Sequence, residues 1–425
     1  MKSNIIVLLL LIACAGNPLV CLARREVTTH KINLDISPQE RYNKLIPHFN
    51  ETVWGFYNKY FANDKILTGI LYGLVDARGQ ENAEQQGEIE GLGTQSGLPL
   101  KFVRGVQFLY ELSTLMVPIT NLTRIATNTV VSGNQEYGID YVPKEYAPLK
   151  KILPWRAGCT GIIAKCADGK VYHARNLDFA PYQVMNELVF NAIFIKGGKE
   201  VFRTQMVAGY TMPLTAMKMG KNGYTIEVNT RFTDHWGGNK EMLENLKSGR
   251  VLSGWTLRKI LETKTDYESA VFAMSTLPFV AQEFLIVSGV KKGTILARNP
   301  DSMAHRQVLG KHNMDERNDY IIMTNFDFYF HDIREWFDPT AGGGFGRPSR
   351  RKAAQKVLNA TSVLTPEILF QAINTKYVIA DTIFQAIMNV ETGFWNTSQP
   401  DSRKKGTLVV QPTNHQQLKQ QLLMV

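Results

Sequence analysis

Apolar residues recur at three- and four-residue spacing from Gln39 to Phe61 (Tyr42, Leu45, Ile46, Phe49, Val53, Phe56, Tyr60), which predicts a helix with one buried face. Asp64 to Val75 predicts a second, very apolar helix, and Leu98 to Met116 a third. Over residues 117–158 Pro, Gly, Asn and charged residues follow no steady period, and a long loop or lid is expected. From Cys159 onwards the pattern is that of strands. Thr160–Cys166 and Val171–Arg175 flank Asp168-Gly169 as a hairpin, and Glu187–Ile195 and Glu200–Met206 flank Gly197-Gly198 as another. Tyr224–Asn229, Phe284–Ser288, Thr294–Arg298, Tyr320–Thr324 and Thr382–Val390 are further β-branched or aromatic runs. Helices are expected between them at Asn239–Leu246, Thr256–Thr263, Asp266–Leu277 and Arg351–Leu358, with Thr365 capping one that runs to Ile373. The polar, Gln- and Lys-rich tail from about residue 399 is expected to be mobile. Strands with helices on both sides predict a layered α+β sandwich.

Composition adds a route through the cell. Met1-Lys2 is a positive start, Ile5 to Ala15 a short apolar stretch, and Cys21-Leu22-Ala23 a small-residue cleavage site, so residues 1–23 are expected to be a removable secretory signal. No later segment is apolar enough to span a bilayer. Asn50, Asn121, Asn359 and Asn396 open glycosylation sequons, which fits a glycoprotein that ends in the lysosome or outside the cell. The net charge of +10 suits an anionic partner. The basic residues are scattered and no nucleic-acid motif accompanies them. With two strongly apolar helices near the start, contact with a membrane surface is the partner expected. Nothing in the sequence calls for a metal or a cofactor.

Removing the signal leaves two of the four cysteines, Cys159 and Cys166. On one strand they would point to opposite faces, so free thiols are expected rather than a disulfide. A two-residue turn at Asp168-Gly169 would put Ala167 opposite Lys170 and Cys159 opposite Asp178, with Arg175 opposite Ile162 on the other face unless a bulge re-aims it. A thiol nucleophile needs a base. His173 lies several rungs away and reads as an ordinary strand residue. Cutting Gly158–Cys159 would free the α-amine of Cys159, which titrates near neutrality and could serve as that base.

Cys159-Thr160-Gly161-Ile162 followed by Tyr172-His173-Ala174-Arg175-Asn176-Leu177-Asp178-Phe179 resembles the acid ceramidase / N-acylethanolamine acid amidase family of N-terminal-nucleophile hydrolases. Four further stretches agree in order: Glu90-Gly91-Leu92 to Leu112, Ala208-Gly209-Tyr210 to Thr215, Thr324-Asn325-Phe326-Asp327, and Arg350-Arg351. The resemblance implies an αββα sandwich, with a helical α-subunit over 24–158 and a catalytic β-subunit over 159–425. The two would be joined as a non-covalent heterodimer after self-cleavage. It implies Cys159 as nucleophile, Asp178 holding the new amine, Arg175 orienting the thiol, Asn325 as oxyanion donor and Arg350 completing the polar shell. The channel for an acyl chain would be lined by Tyr210, Met212, Leu214 and Met217, and the substrate would be a ceramide or N-acylethanolamine type of amide.

The sequence departs from that pattern at Gly161, where a serine is usual, and at Thr230, where an acid is usual; Glu227 lies nearby. With no cysteines for inter-subunit disulfides, packing alone is expected to hold the two parts together. Three other activities stay open: a bile-salt or penicillin V amidase, an acyltransferase, or an impaired, lipid-binding homologue.

Overall fold

The computed structural model describes residues 24–25, 27–79, 81–112, 157–179, 181–232, 236–311, 317–330, 349–375, 378 and 382–400. The signal segment, residues 117–156 of the loop expected over 117–158, Asn121 and the tail beyond Pro400 lie outside the described residues, while residues 157 and 158 of that loop are in a strand. Strand β1 is Arg24–Arg25 and β2 is Thr29–Asn33. Helix α1, Ile46–Tyr57, turns its Ile46, Phe49, Val53 and Phe56 inward, as their spacing predicts, and ends in a π turn at Asn58–Ala62. Helices α2 (Lys65–Arg78), α3 (Ala83–Ser96), α4 (Leu100–Val106) and α5 (Leu109–Leu112) complete the N-terminal part.

Helix α3 has no apolar stripe. It is capped by the Asn82 side chain on Gln85 N and by left-handed Gly97, and it buries Gln85, Glu88 and three glycines. Gly91 is required by contact: a Cβ there would lie 2.1 Å from the Gln39 carbonyl oxygen.

The rest of the described chain builds two sheets. Strands β3 (Ala157–Lys165) and β4 (Val171–Phe179) form the hairpin. Helix α6 (Tyr182–Glu187) leads to β5 (Val189–Lys196), β6 (Lys199–Val207), β7 (Thr215–Lys218) and β8 (Tyr224–Thr230). Helices α7 (Trp236–Lys247), α8 (Ser253–Thr263) and α9 (Tyr267–Thr276) follow. Then come β9 (Glu283–Gly289), β10 (Lys292–Arg298), β11 (Met303–Val308) and β12 (Tyr320–Met323). Helices α10 (Arg350–Asn359) and α11 (Pro366–Ile373) precede β13 (Thr382–Asn389) and β14 (Phe394–Pro400). One sheet runs β1-β14-β13-β4-β3-β12, the other β11-β10-β9-β8-β7-β6-β5-β2.

The sheets pack through Ile163, Val171, Phe284, Ile286, Ile295, Ile321 and Met323. Outside the first sheet, α10 and α11 cover Ile162, Ala164 and Ala174 with Ala354, Leu358, Leu369 and Ile373. Outside the second, Ile226, Val228, Leu285 and Val287 meet α8, α9 and the N-terminal helices. The molecule is thus an α+β sandwich with the layers in the order helix, sheet, sheet, helix. The first residue of the expected mobile tail is in β14: Gln399 is buried there and donates to the Asn186 carbonyl at 2.9 Å.

The N-terminal part is joined to the sheets by more than packing. Strand β2 pairs in parallel with β5. Glu88 on α3 is buried in a two-pronged ion pair with Arg258 on α8, at 2.5 and 2.6 Å. Gln107 donates to the Gly209 carbonyl at 2.7 Å and accepts from Thr211 N at 3.0 Å, and Tyr110 donates to the Val228 carbonyl at 3.1 Å. The expectation of packing alone is corrected accordingly: directional, buried bonds cross between the segments on either side of residues 113–156. Removing one partner of a buried ion pair costs about 3–5 kcal/mol. The apolar faces of α1 and α2 are spent on this core, leaving Ile70 as an exposed apolar residue on α2.

Candidate active site

The β3–β4 hairpin sets the geometry, and its register differs from the expected one by a residue. Cys166 N donates to the Lys170 carbonyl and Gly169 N to the Cys166 carbonyl, so the loop holds three residues, with Gly169 at φ 75°. Glycine takes that left-handed position without strain, which is the usual three-residue hairpin. Cys159 therefore faces Leu177, Gly161 faces Arg175, and Asp178 faces Gly158. A one-residue slip exchanges the faces of a whole strand. Arg175 shares the inter-sheet face with Cys159 without any bulge, while Asp178 looks the other way, towards α10.

On the inter-sheet face, Arg175 is fully buried and donates through Nη1 to the carbonyls of Leu214 (3.1 Å) and Val228 (3.2 Å). Its Nη2 lies 3.6 Å from Cys159 Sγ. Burial pushes the thiol up to about 12 against the pull of the Arg175 cation, so in the uncut chain it is protonated. A base must take that proton. Cys159 and Cys166 are both free thiols, buried in different core clusters.

Around the backbone of Cys159 the polar shell is closed. Its N–H donates to Asn325 Oδ1 at 2.9 Å, and Arg350 Nη2 donates to the same oxygen at 2.6 Å. Arg350 Nη1 reaches the Cys159 carbonyl and Asp178 Oδ2. Asp178 Oδ1 accepts from the Thr382 hydroxyl at 2.6 Å. Two expectations change here. The group touching the nitrogen of Cys159 is Asn325, while Asp178 flanks Gly158: a Cβ on Gly158 would lie 3.1 Å from Asp178 Oδ2 and 3.2 Å from Arg350 Nη1. The Asn325 amide, expected as an oxyanion donor, gives its Nδ2 to the Thr230 carbonyl at 2.7 Å in this state.

An apolar cavity opens beside Leu177, the cross-strand partner of Cys159. Val53, Phe56, Phe102, Val106, Tyr110 and Met185 contribute to its wall, together with Tyr210 and Leu214 as expected. Met212 and Met217 do not line it. Met212 fills the space left by Gly254, and Met217 packs with Ala386, Met388 and Val390 between the sheets. Asn50 lies on the cavity wall with its Oδ1 buried and lacking a hydrogen-bond partner, which weighs against a glycan there. Asn359 and Asn396 are half-buried, and Asn359 Oδ1 accepts from Tyr320.

Sequence reasoning gave one carboxylate no role beyond lying near Thr230, and missed another. Glu227 on β8 reaches His173 Nε2 at 2.7 Å and Arg175 Nη1 at 3.6 Å, all buried between the sheets. Its signal was a lone acid inside an apolar strand. On the other side of the second sheet, Glu283 stands opposite Thr230. Burial pushes its carboxyl well above the usual range, and nearby Glu111 pushes it further. Glu111 itself is pushed up to about 7 by burial, although one oxygen accepts from Ser253 N at 3.0 Å.

No protein-family model matches the chain. The chain is similar to an N-acylethanolamine-hydrolyzing acid amidase of Caenorhabditis elegans, 25% identical over 73% of this chain and 78% of that protein. The amidase of the same name from Mus musculus is 24% identical over 89% of this chain and 91% of the relative. Acid ceramidase of Homo sapiens is 23% identical over 88% and 86%. Matches of this length take in both the N-terminal helices and the sandwich. Over most of its length the chain is thus similar to acid ceramidases and N-acylethanolamine-hydrolyzing acid amidases.

Proposed function

We propose that this protein hydrolyses lipid N-acyl amides, with Cys159 as nucleophile after a cut at Gly158–Cys159. The observation that carries the reading is the placement of Cys159. Its thiol lies against Arg175, its backbone nitrogen is held by Asn325, and its cross-strand partner Leu177 borders an apolar cavity.

The thiol would first attack the Gly158 carbonyl, and water would then release the preceding segment. Cys159 would be left with a free α-amine, already next to Asn325 Oδ1, that can take the thiol proton near neutrality. A substrate amide would next transfer its acyl group to sulfur, with the proton passing to the leaving amine, and water would cleave the thioester. By turning its amide from the Thr230 carbonyl to the oxyanion, Asn325 would contribute about 3 kcal/mol, the loss seen where such donors have been removed. Tyr210 and Leu214 would contact the acyl chain. The two parts would stay together through Glu88–Arg258 and the bonds around Gln107, and the α-part helices would approach the lipid surface. Entry into the secretory route and residence in an acidic compartment fit the N-terminal apolar segment and the protonated carboxyls.

Intact mass and N-terminal sequencing before and after incubation at acidic pH test the reading. A new chain beginning at Cys159, absent from Cys159→Ala, is expected. A panel of ceramides, N-acylethanolamines, bile-salt amides and penicillin V then assigns the substrate class, and turnover of only the last two would overturn the lipid reading.

A further inference from the structure

Gly161 and Glu227 occupy one space. A Cβ on Gly161 would lie 2.6 Å from both carboxylate oxygens of Glu227 and 2.4 Å from Ile286 Cδ1. These are distances that real contacts do not reach, so the missing side chain on β3 is where the carboxylate from β8 fits. That carboxylate is gripped on one side by His173, whose Nδ1 is in turn tied to the Thr225 hydroxyl at 2.7 Å and through it to Ser288 at 2.6 Å. On its other side lies Arg175 Nη1, and the same guanidinium touches Cys159 Sγ. Thr230, three residues along β8, takes no part on this face. Its neighbours are Glu283 across the strand pair and Asn325 on its carbonyl.

We propose that Glu227 is a positioning residue for the reaction at Cys159: clamped by His173, it fixes the Arg175 guanidinium against the thiol. In this chain the carboxylate that serves the site comes from position 227 instead of 230, and Gly161 makes the room for it. The inference rests on the cysteine-hydrolase reading above. His173 fixes one carboxylate oxygen, and the other lies 3.6 Å from Arg175 Nη1 with no hydrogen-bond partner of its own, so its charge adds to the Leu214 and Val228 carbonyls in holding the guanidinium over the Phe384 ring, 5.7 Å away. Displacing a positioned catalytic group by about 1 Å costs roughly 10²-fold in rate.

Glu227→Gln tests this, because glutamine fills the same volume and can still bond His173. The expected result is a fall of roughly 10²-fold in kcat with KM unchanged and thermal unfolding close to that of the wild type, and a smaller fall in Glu227→Asp, which keeps the charge. A kcat of Glu227→Gln within twofold of the wild type overturns the proposal. Should Glu227→Gln not fold, Glu227→Asp decides alone: a lowered kcat at unchanged KM supports the role, and wild-type kcat overturns it.

Alkylation of Cys159 by iodoacetamide gives a readout that needs no amide substrate. If Arg175 drifts from the sulfur, Glu227→Gln reacts more slowly than the wild type. If Glu227 acts only through its charge, removing that charge eases thiolate formation and the variant reacts faster, which overturns positioning. Slower alkylation in a protein whose wild type cleaves no amide would sink the hydrolase reading and leave the positioning role standing.

Discussion

Between the two sheets, Glu227 lies against His173 and 3.6 Å from Arg175, with Gly161 yielding its side-chain space. On the side of β8 and β9 that faces the helices, Glu283 stands opposite Thr230 with Glu111 as its acidic neighbour, and neither of its oxygens has a well-formed hydrogen bond. Both regions are fully buried. Glu227 lies beside a guanidinium, whereas burial raises Glu283 and Glu111 above the usual carboxyl range, with Glu111 adding to the rise at Glu283. Burial alone therefore does not mark a catalytic acid; the partner does.

The largest effect should come from Cys159→Ala, the residue next to the charged region. Loss of both self-cleavage and amide turnover, read by mass and product formation, is expected, and a processed, active variant would remove the mechanism. Next is Arg175→Met, which strands Glu227 without its cation and should cost about 3–5 kcal/mol in urea unfolding. Adding Glu227→Gln to it should recover most of that loss. Strictly additive losses would mean that the two do not form a pair.

The protonated region should show in pH dependence. Glu111 is ordinary at 4.5 when unfolded and pushed up to about 7 when folded, so the folded chain holds the extra proton between those values. Stability from this group is fully present below about 4.5 and falls by roughly 3 kcal/mol as pH rises through 7. Glu283, raised in the same direction, adds to the slope. Urea midpoints at pH 4.5 and 7.5 measure it, and Glu111→Gln should flatten it. A slope of opposite sign would show that Glu111 is ionised in the fold. The smallest effect is expected for Glu283→Gln at pH 4.5, below about 1 kcal/mol, because an amide replaces a carboxyl that is already neutral. A cost above about 3 kcal/mol would make Glu283 the paired carboxylate and erase the contrast.

Long periodic segments were legible in the sequence. The helices around Phe49, Trp255 and Ala354 and the strands around Phe202 and Ile286 lie where their periods put them. Helix α3 was not, because it buries glycines and Glu88 instead of an apolar stripe, and its fit depends on Gln39 and Arg258 far along the chain. The hairpin was legible as a hairpin but not in register. Asp168-Gly169 serves a two- or a three-residue loop equally well, and only the pairing of Cys166 with Lys170 decides. Cys159, Arg175, Asp178, Asn325 and Arg350 lie in one cluster, with Asn325 Oδ1 on the Cys159 nitrogen and Asp178 beside Gly158. Glu227 was hidden because β8 is buried on both faces, so no alternation distinguishes the side that meets the site.

The shared space at positions 161 and 227 also restricts how this protein can change. A larger residue at 161 is tolerable only after the acid at 227 has shortened and Ile286 has given way, so the order of substitutions decides which intermediates fold. Swapping the acid back to 230 is then not one step but a path with a forbidden first move. Positions 161 and 227 therefore form a single packing unit that has to be varied together.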